Sequence, residues 1–261
     1  MERGMPLPLK RPTDRVSPQT CKICHSNMAF FGNVDFEKNC EDLALPTTNQ
    51  TIPYYLCMEC GFICTYFFDN WEKTDFIKNI YNEDYTIVDP DFSEKRPEKS
   101  RDLLISLFGK HLETIDILDY GGGNGQLADK MNSAGGRVTS YDHFYFDKKP
   151  CNKFDVITLF EVMEHVTDPS NLVNSVNSFL NDVGVVVLST LLQPNDIASE
   201  GVSWWYLSPR NGHFSLYTSE ALKRLWLPLG FGLLSVNDCL HLAVRGRPHF
   251  LSPFIFEALV Y

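Results

Sequence analysis

Two matched pairs of cysteines, Cys21-x-x-Cys24 and Cys57-x-x-Cys60, have the spacing of a metal centre. Two residues between thiolates let both sulfurs of a pair turn toward one ion, and two such knuckles complete the four-sulfur shell of a tetrahedral zinc. Gly61, directly after the second pair, gives the turn backbone freedom. Disulfides are the other chemistry open to paired cysteines, but they belong to oxidising compartments, and no export signal is read in this sequence. A zinc held by four protein thiolates has no open position, so its expected role is structural, with His25 and Cys40 as reserve ligands.

A second group combines acids with imidazoles. Glu161, Glu164 and His165 stand at i, i+3 and i+4, which on a helix would share one face, and His213 follows later in a loop, Pro209-Arg210-Asn211-Gly212-His213-Phe214. These side chains could ligate a cation, or His213 or His165 could serve as a general base near neutral pH. Close by, Trp204-Trp205-Tyr206 is expected on a loop over the site, where aromatic faces could stack on an acceptor or pack as core. Arg96 and Arg210 could hold an anionic group or be solvated charges.

The third group is a glycine turn. Residues 115–120 form an apolar run with an acid, Asp119, near its end, and Gly121-Gly122-Gly123-Asn124-Gly125 follows at once, ahead of a helical pattern carrying Leu127, Ala128 and Met131. A strand-to-helix turn of this kind lets a nucleotide-like ligand approach the backbone closely. Asp142, at the end of the next strand (residues 137–142), is placed to accept hydrogen bonds from ribose hydroxyls.

These groups need a scaffold, and the remaining pattern supplies one. Strand-like runs recur at residues 154–160, 184–190 and from 232 onward, with an amphipathic helix over 218–229. Alternating strands and helices predict an α/β fold with a parallel sheet. Tyr54-Tyr55-Leu56 runs into the second cysteine knuckle and residues 62–68 run out of it with strand propensity, as in a zinc ribbon.

With Asp119-Tyr120-Gly121-Gly122-Gly123-Asn124-Gly125, and with residues 154–166 as fourth strand and following turn, the chain resembles the class I S-adenosyl-L-methionine-dependent methyltransferases. The resemblance spans roughly residues 100–240. It implies a Rossmann-like sheet with helices on both faces, S-adenosyl-L-methionine as cofactor, and cofactor contacts from Asp119, Gly121, Gly123, Gly125, Asp142 and Phe160. In the connector, Tyr81 and Tyr85 are four apart and would share one face of a helix, as a lid over a ligand or as plain packing. The Glu-x-x-Glu-His pattern with a later histidine is similar to metal-dependent O-methyltransferases of ubiquinone biosynthesis and of RNA 3′ ends, implying Mg2+ or Mn2+ at Glu161, Glu164, His165 and His213. In metal-free relatives the same residues position the turn. A zinc ribbon ahead of such a core resembles bacterial methyltransferases acting on sugars and other small metabolites. One departure stands out: too few residues separate Asp142 from the strand at 154 for a helix and a further strand. The third strand is expected to be short or missing, leaving Phe144, Phe146 or Phe160 to stack on the adenine ring.

Composition narrows the partners. The 261 residues, 44% hydrophobic, suffice for one main core and an appendage. The expected organisation is a mobile tail (1–20), a zinc-ribbon module (21–69), a connector or lid (70–100) and a catalytic domain (101–261). A net charge of -10 opposes dense phosphate contacts, so nucleic acid is an unlikely partner. No run approaches the roughly 18 to 20 apolar residues of a membrane span. A cytoplasmic protein is expected, acting on a small molecule such as a sugar or nucleotide-sugar hydroxyl. The alternatives are an RNA or protein substrate recruited by the ribbon, and a scaffold that binds cofactor without turnover.

Overall fold

The structure is a computed structural model that describes residues 19–91, 95–145 and 148–260. The expected tail lies outside these residues except for Gln19 and Thr20, and Phe146 lies outside them too. Thr20 is fixed by a bridge to Asn27.

Two sheets organise the chain. The first holds β1 (Met28–Asp35), β2 (Thr51–Cys57), β3 (Ile63–Cys64) and β8 (Ser215–Leu216), all antiparallel neighbours. The second runs β5-β4-β6-β7-β10-β9, built from β4 (Ile117–Tyr120), β5 (Val138–Tyr141), β6 (Phe154–Phe160), β7 (Leu180–Ser189), β9 (Gly232–Ser235) and β10 (Leu240–Arg245). β5, β4, β6 and β7 are parallel; β10 runs against β7 and β9. Among the described residues no strand lies between β5 and β6, so β5 is an edge and the missing third strand is as expected.

The helices are α1 (Lys73–Asn79), α2 (Tyr85–Val88), α3 (Lys95–Phe108), α4 (Gln126–Ser133), α5 (Pro169–Phe179), α6 (Ile197–Glu200), α7 (Ser219–Trp226) and α8 (Pro253–Ala258). Alternation along the strands decides which helices cover which face. Ile117, Val156, Val185, Val187, Leu242 and Val244 point toward α3, α4 and α8, whereas Leu118, Ile157, Leu159, Val186, Leu188 and Ala243 point toward α5 and α7. Apolar side chains on both faces explain why β6 and β7 read as near-continuous hydrophobic runs. This is the Rossmann-like arrangement anticipated above.

The cysteine-bearing sheet does not close on itself, because its fourth strand, β8, comes from beyond residue 200. Cys21, Cys57 and Cys60 are buried in one apolar cluster with Tyr217, just after β8, and with Leu222 and Trp226 of α7. The other face of β1–β3 packs Tyr54, Ile63 and Phe68 against Trp204, Tyr206, Leu207 and Phe214.

Two local expectations are corrected, and one alternative is decided. Tyr81 and Tyr85 do not share a helix, since α1 ends at Asn79 and α2 begins at Tyr85; their rings meet edge to face at 5.2 Å across the bend. Glu161 is not on a helix with Glu164 and His165: it takes a left-handed conformation (φ 53°), and only Met163–His165 form a short 3-10 turn. Of the two readings of Trp204-Trp205-Tyr206, packing as core holds for Trp204 and Tyr206, which are buried and do not line the cavity described below, whereas Trp205 is exposed.

Candidate active site

A cavity of about 750 Å³ opens at the carboxyl ends of β4, β5 and β6, where parallel sheets bind ligands. Gly121, Gly122 and Gly123 form one wall. Asp142 stands beside them, its Oδ2 accepting from the Gly123 N–H at 3.1 Å and its Oδ1 from the Phe144 N–H at 2.7 Å. One carboxylate therefore fixes the glycine turn against the turn after β5. Gly122 is a close approach: a Cβ there would sit 2.2 Å from Oδ2 of Asp119 and 2.5 Å from Oγ of Ser140. Gly121 and Gly125 have left-handed φ of 79° and 89°, which favours glycine.

Asp119 is buried beneath this turn. Its Oδ1 accepts from the Thr158 hydroxyl at 2.7 Å, while Oδ2 has no hydrogen-bond partner, and neither has Ser140 Oγ. Burial raises its carboxyl to about 6. The bare, tightly seated backbone and orphaned polar atoms fit the nucleoside cofactor expected from the sequence. Phe160, Phe144, Tyr81 and Tyr85 line the same cavity, and Tyr81 and Phe144 lie 5.0 Å apart as an aromatic wall.

The polar end is built by the loop after β6 and the loop before β8. Glu161 and His165 line the cavity; Glu164 and His213 lie behind them. The ligand atoms of Glu164, His165 and His213 are within 4.8 Å of one another. Glu161 stands outside this trio, its Oε1 accepting from the Ser189 hydroxyl at 2.6 Å and its N–H donating to Ser189 Oγ at 2.9 Å. A non-glycine residue at positive φ costs on the order of 1–3 kcal/mol, and such strain gathers where a side chain must be aimed.

Polar satisfaction in the trio is incomplete. The Tyr206 hydroxyl donates to Oε1 of Glu164 at 2.6 Å, but Oε2 has no partner; Nδ1 of His165 is likewise orphaned. His213 Nδ1 donates to the Tyr206 carbonyl at 2.7 Å, an assignment from the network that leaves Nε2 as the lone-pair nitrogen. Burial pushes His165 well below the usual imidazole range and holds His213 down to about 4, so both are neutral, the form that ligates metal. Burial, reinforced by nearby Glu161, raises the Glu164 carboxyl. A buried acid with two neutral imidazoles and two unused lone-pair atoms fits a divalent cation.

The four cysteines also converge. Their sulfurs are all within 4.8 Å of one another, with Cys21–Cys60 at 3.7 Å and Cys24–Cys57 at 3.4 Å. Zinc–sulfur bonds of about 2.3 Å place the sulfurs of a tetrahedron about 3.8 Å apart, so the donor set fits zinc. The reserve ligands are not in this cluster: Cys40 lies 3.9 Å from Nδ1 of His213 instead.

Arg96 pairs in bidentate fashion with Asp89, both contacts 2.9 Å, at the cavity wall; Arg210 is buried and donates to the Ile80 carbonyl. Sequence reasoning missed Ser189 and Gly212. Gly212, at φ 89°, leaves room for His165, whose Nδ1 would be 2.9 Å from a Cβ there. A glycine immediately before a candidate histidine was the available signal. Among the described residues, no helix is long and apolar enough to cross a membrane.

Comparison with known proteins bears on residues 92–236, which match the family described as "Methyltransferase domain". The ubiquinone biosynthesis O-methyltransferase of Actinobacillus pleuropneumoniae serotype 7 is 31% identical, over 33% of this chain and 47% of that protein. The protein of the same name from Idiomarina loihiensis is 23% identical, over 60% of this chain and 79% of its own length. The chain thus spans about half the length of the first of these relatives. A solved magnesium protoporphyrin IX methyltransferase from Synechocystis PCC 6803, with bound SAH, superposes with a TM-score of 0.46 at 16% identity, covering 69% of this chain and 97% of that one. The cysteine pairs precede the family match.

Proposed function

Since the chain belongs to the methyltransferase-domain family, we propose that it transfers the methyl group of S-adenosyl-L-methionine to a hydroxyl of a small molecule. The observation that carries this reading is the single cavity joining the Gly121–Gly123 turn to Glu161 and His165. The sulfonium cofactor supplies an electrophilic methyl and departs as a thioether. Asp142 and the three glycines hold its nucleoside end, Asp119 supports the turn from below, and Phe144, Phe160, Tyr81 and Tyr85 enclose it. Water exclusion by these rings strengthens the electrostatics of the polar end.

Glu164, His165 and His213 would hold a divalent cation, with Glu161 beside His165 at the same polar end of the cavity. Mixed carboxylate and imidazole donors suit Mn2+ better than Mg2+, which prefers all-oxygen shells. Such a cation supplies Lewis acidity toward an acceptor hydroxyl. A second reading makes His165 the proton acceptor itself, and one observation favours it: of the three clustered residues, only His165 lines the cavity. The cysteines hold a structural zinc.

The aromatic walls suit a planar ring or the apolar face of a sugar. The Trp204–Tyr206 loop supplies no acceptor wall, so a sugar is carried by the cavity's own tyrosines and phenylalanines. The test is transfer of labelled methyl from S-adenosyl-L-methionine to a panel of catechols, phenols and sugars, with mass spectrometry of the product. Methylation of a hydroxyl in any of these, lost in His165→Ala, supports the reading. Transfer only to protein or RNA, or none to any acceptor, overturns it.

A further inference from the structure

The cysteine module and the Glu164–His165–His213 cluster are joined through one side chain. Lys22 lies inside the first knuckle, between Cys21 and Cys24, and its side chain is only 12% exposed. Its ammonium donates to the Thr65 carbonyl at 3.0 Å, the Thr167 carbonyl at 2.9 Å and Asp69 Oδ1 at 2.5 Å, and it sits 4.7 Å from the Tyr66 ring centre.

One carbonyl belongs to the loop that carries Glu164 and His165; the other, on Thr65 just after β3, belongs to a residue bonded to the His213 loop. Thr167 follows His165 by two residues, and the next turn is gripped again by the Ser170 hydroxyl donating to the Lys22 carbonyl at 3.0 Å. Thr65 donates its own N–H to the Phe214 carbonyl at 3.2 Å, one residue past His213, and Phe214 N–H donates to the Glu164 carbonyl at 2.8 Å. The second knuckle holds the His213 loop from the other side. The Tyr54 hydroxyl donates to the His213 carbonyl at 2.8 Å, the Thr218 hydroxyl donates to the Cys60 carbonyl at 2.6 Å, and β3 pairs with β8 two residues past His213.

A half-buried ammonium whose ion-pair partner is 36% exposed adds little stability through that pair. Its geometry is better suited to fixing where those loops stand. On this basis, and resting on the functional reading above, we infer that the cysteine-bound metal is a positioning centre for the reaction, with Lys22 the residue that sets the separation of His165 from His213. Fixing the first knuckle fixes the lysine, and the lysine holds the His165 loop directly through Thr167 and the His213 loop through Thr65. Lys22 is a positioning residue: it touches neither the cavity nor the cluster.

The experiment uses the full, zinc-loaded chain carrying Lys22→Met. Zinc content and S-adenosyl-L-methionine affinity are expected to stay within twofold of wild type, while kcat and Mn2+ affinity, read by electron paramagnetic resonance, fall about 10- to 100-fold, the range for residues that orient metal ligands. Ring resonances of His165 and His213 shift in the same variant. Equal losses in cofactor affinity and kcat, or unchanged kcat and Mn2+ affinity, overturn the inference. Should wild type show no transfer and no Mn2+ binding, the functional reading falls, and the ring resonances still decide: unchanged shifts in Lys22→Met overturn the coupling. If that variant does not fold, Tyr54→Phe removes the bond from β2, the strand that runs into the second knuckle, to the His213 carbonyl and must show the same pattern.

Discussion

Tyr206 donates its hydroxyl to Oε1 of Glu164 at 2.6 Å, and both residues are buried. The same tyrosine offers its main-chain carbonyl to His213 Nδ1 and lays its ring 4.2 Å from the imidazole, so one residue orients two members of the cluster. Partners of this kind set both the tautomer and the direction of a ligand.

Tyr206→Phe leaves the ring and the carbonyl in place and removes the hydroxyl, with its short bond to Glu164 and the long 3.5 Å bond it accepts from the Leu191 N–H. The carboxyl then has neither oxygen paired, which costs about 1–3 kcal/mol for a buried polar group. Chemical denaturation should show that loss. Methyl transfer should fall with it, while cofactor affinity, set at the other end of the cavity, stays unchanged. A variant as stable and as active as wild type would remove Tyr206 from the account.

Asp119 gives a pH dependence of definite sign. Its carboxyl rises from the ordinary 3.8 to about 6 on folding, so the folded chain binds more protons than the unfolded chain between those values. The stabilisation from its proton is complete below about pH 4 and is lost as pH rises through 6, on the order of 3 kcal/mol for this fully buried group. His213, lowered from 6.5 to about 4, contributes the opposite slope: stability present above 6.5 and lost as pH falls through 4. Comparison with Asp119→Asn, which retains an acceptor for Thr158, isolates the first effect. Unfolding free energies of the two proteins should diverge across pH 4 to 6, with the wild type losing ground as pH rises. Parallel curves would contradict a buried, proton-retaining Asp119.

The two metal sites should separate under chelation. Thiolate zinc is tied to folding and resists mild chelators, whereas a cation at Glu164, His165 and His213 exchanges. Mild EDTA treatment should remove transfer activity with one zinc per chain retained, and Mn2+ should restore it. Activity indifferent to chelator and carried by His165 alone would select the metal-free reading.

Much of this arrangement is written in local pattern. The β4 run and the glycine turn are contiguous, and their pattern gives the strand-turn-helix; the short separation of Asp142 from residue 154, set against the family's pattern, gives the lack of a third strand among the described residues. The cysteine pairs are equally local, each knuckle needing only four residues. What the sequence hides is non-local or conformational. Glu161, Glu164 and His165 have helical spacing, yet the left-handed backbone at Glu161 turns its side chain away to Ser189, 28 residues on. For Trp204 and Tyr206 the sequence leaves a loop wall and core packing equally open; the pairing of β8 with β3 folds the cysteine module over them and decides for core. Lys22 reads as an ordinary charged residue until Thr65 and Thr167 are brought to it.

The central claim is that the cavity beside the glycine turn binds S-adenosyl-L-methionine, and a calorimetric titration of the zinc-loaded chain addresses it directly. Gly122→Ala is the control, because its Cβ would press within 2.2 Å of Asp119 and within 2.5 Å of Ser140, atoms anchored on β4 and β5. Wild type should bind one equivalent of cofactor and the folded Gly122→Ala variant none that is measurable. No binding by wild type, or equal binding by both proteins, would contradict the account.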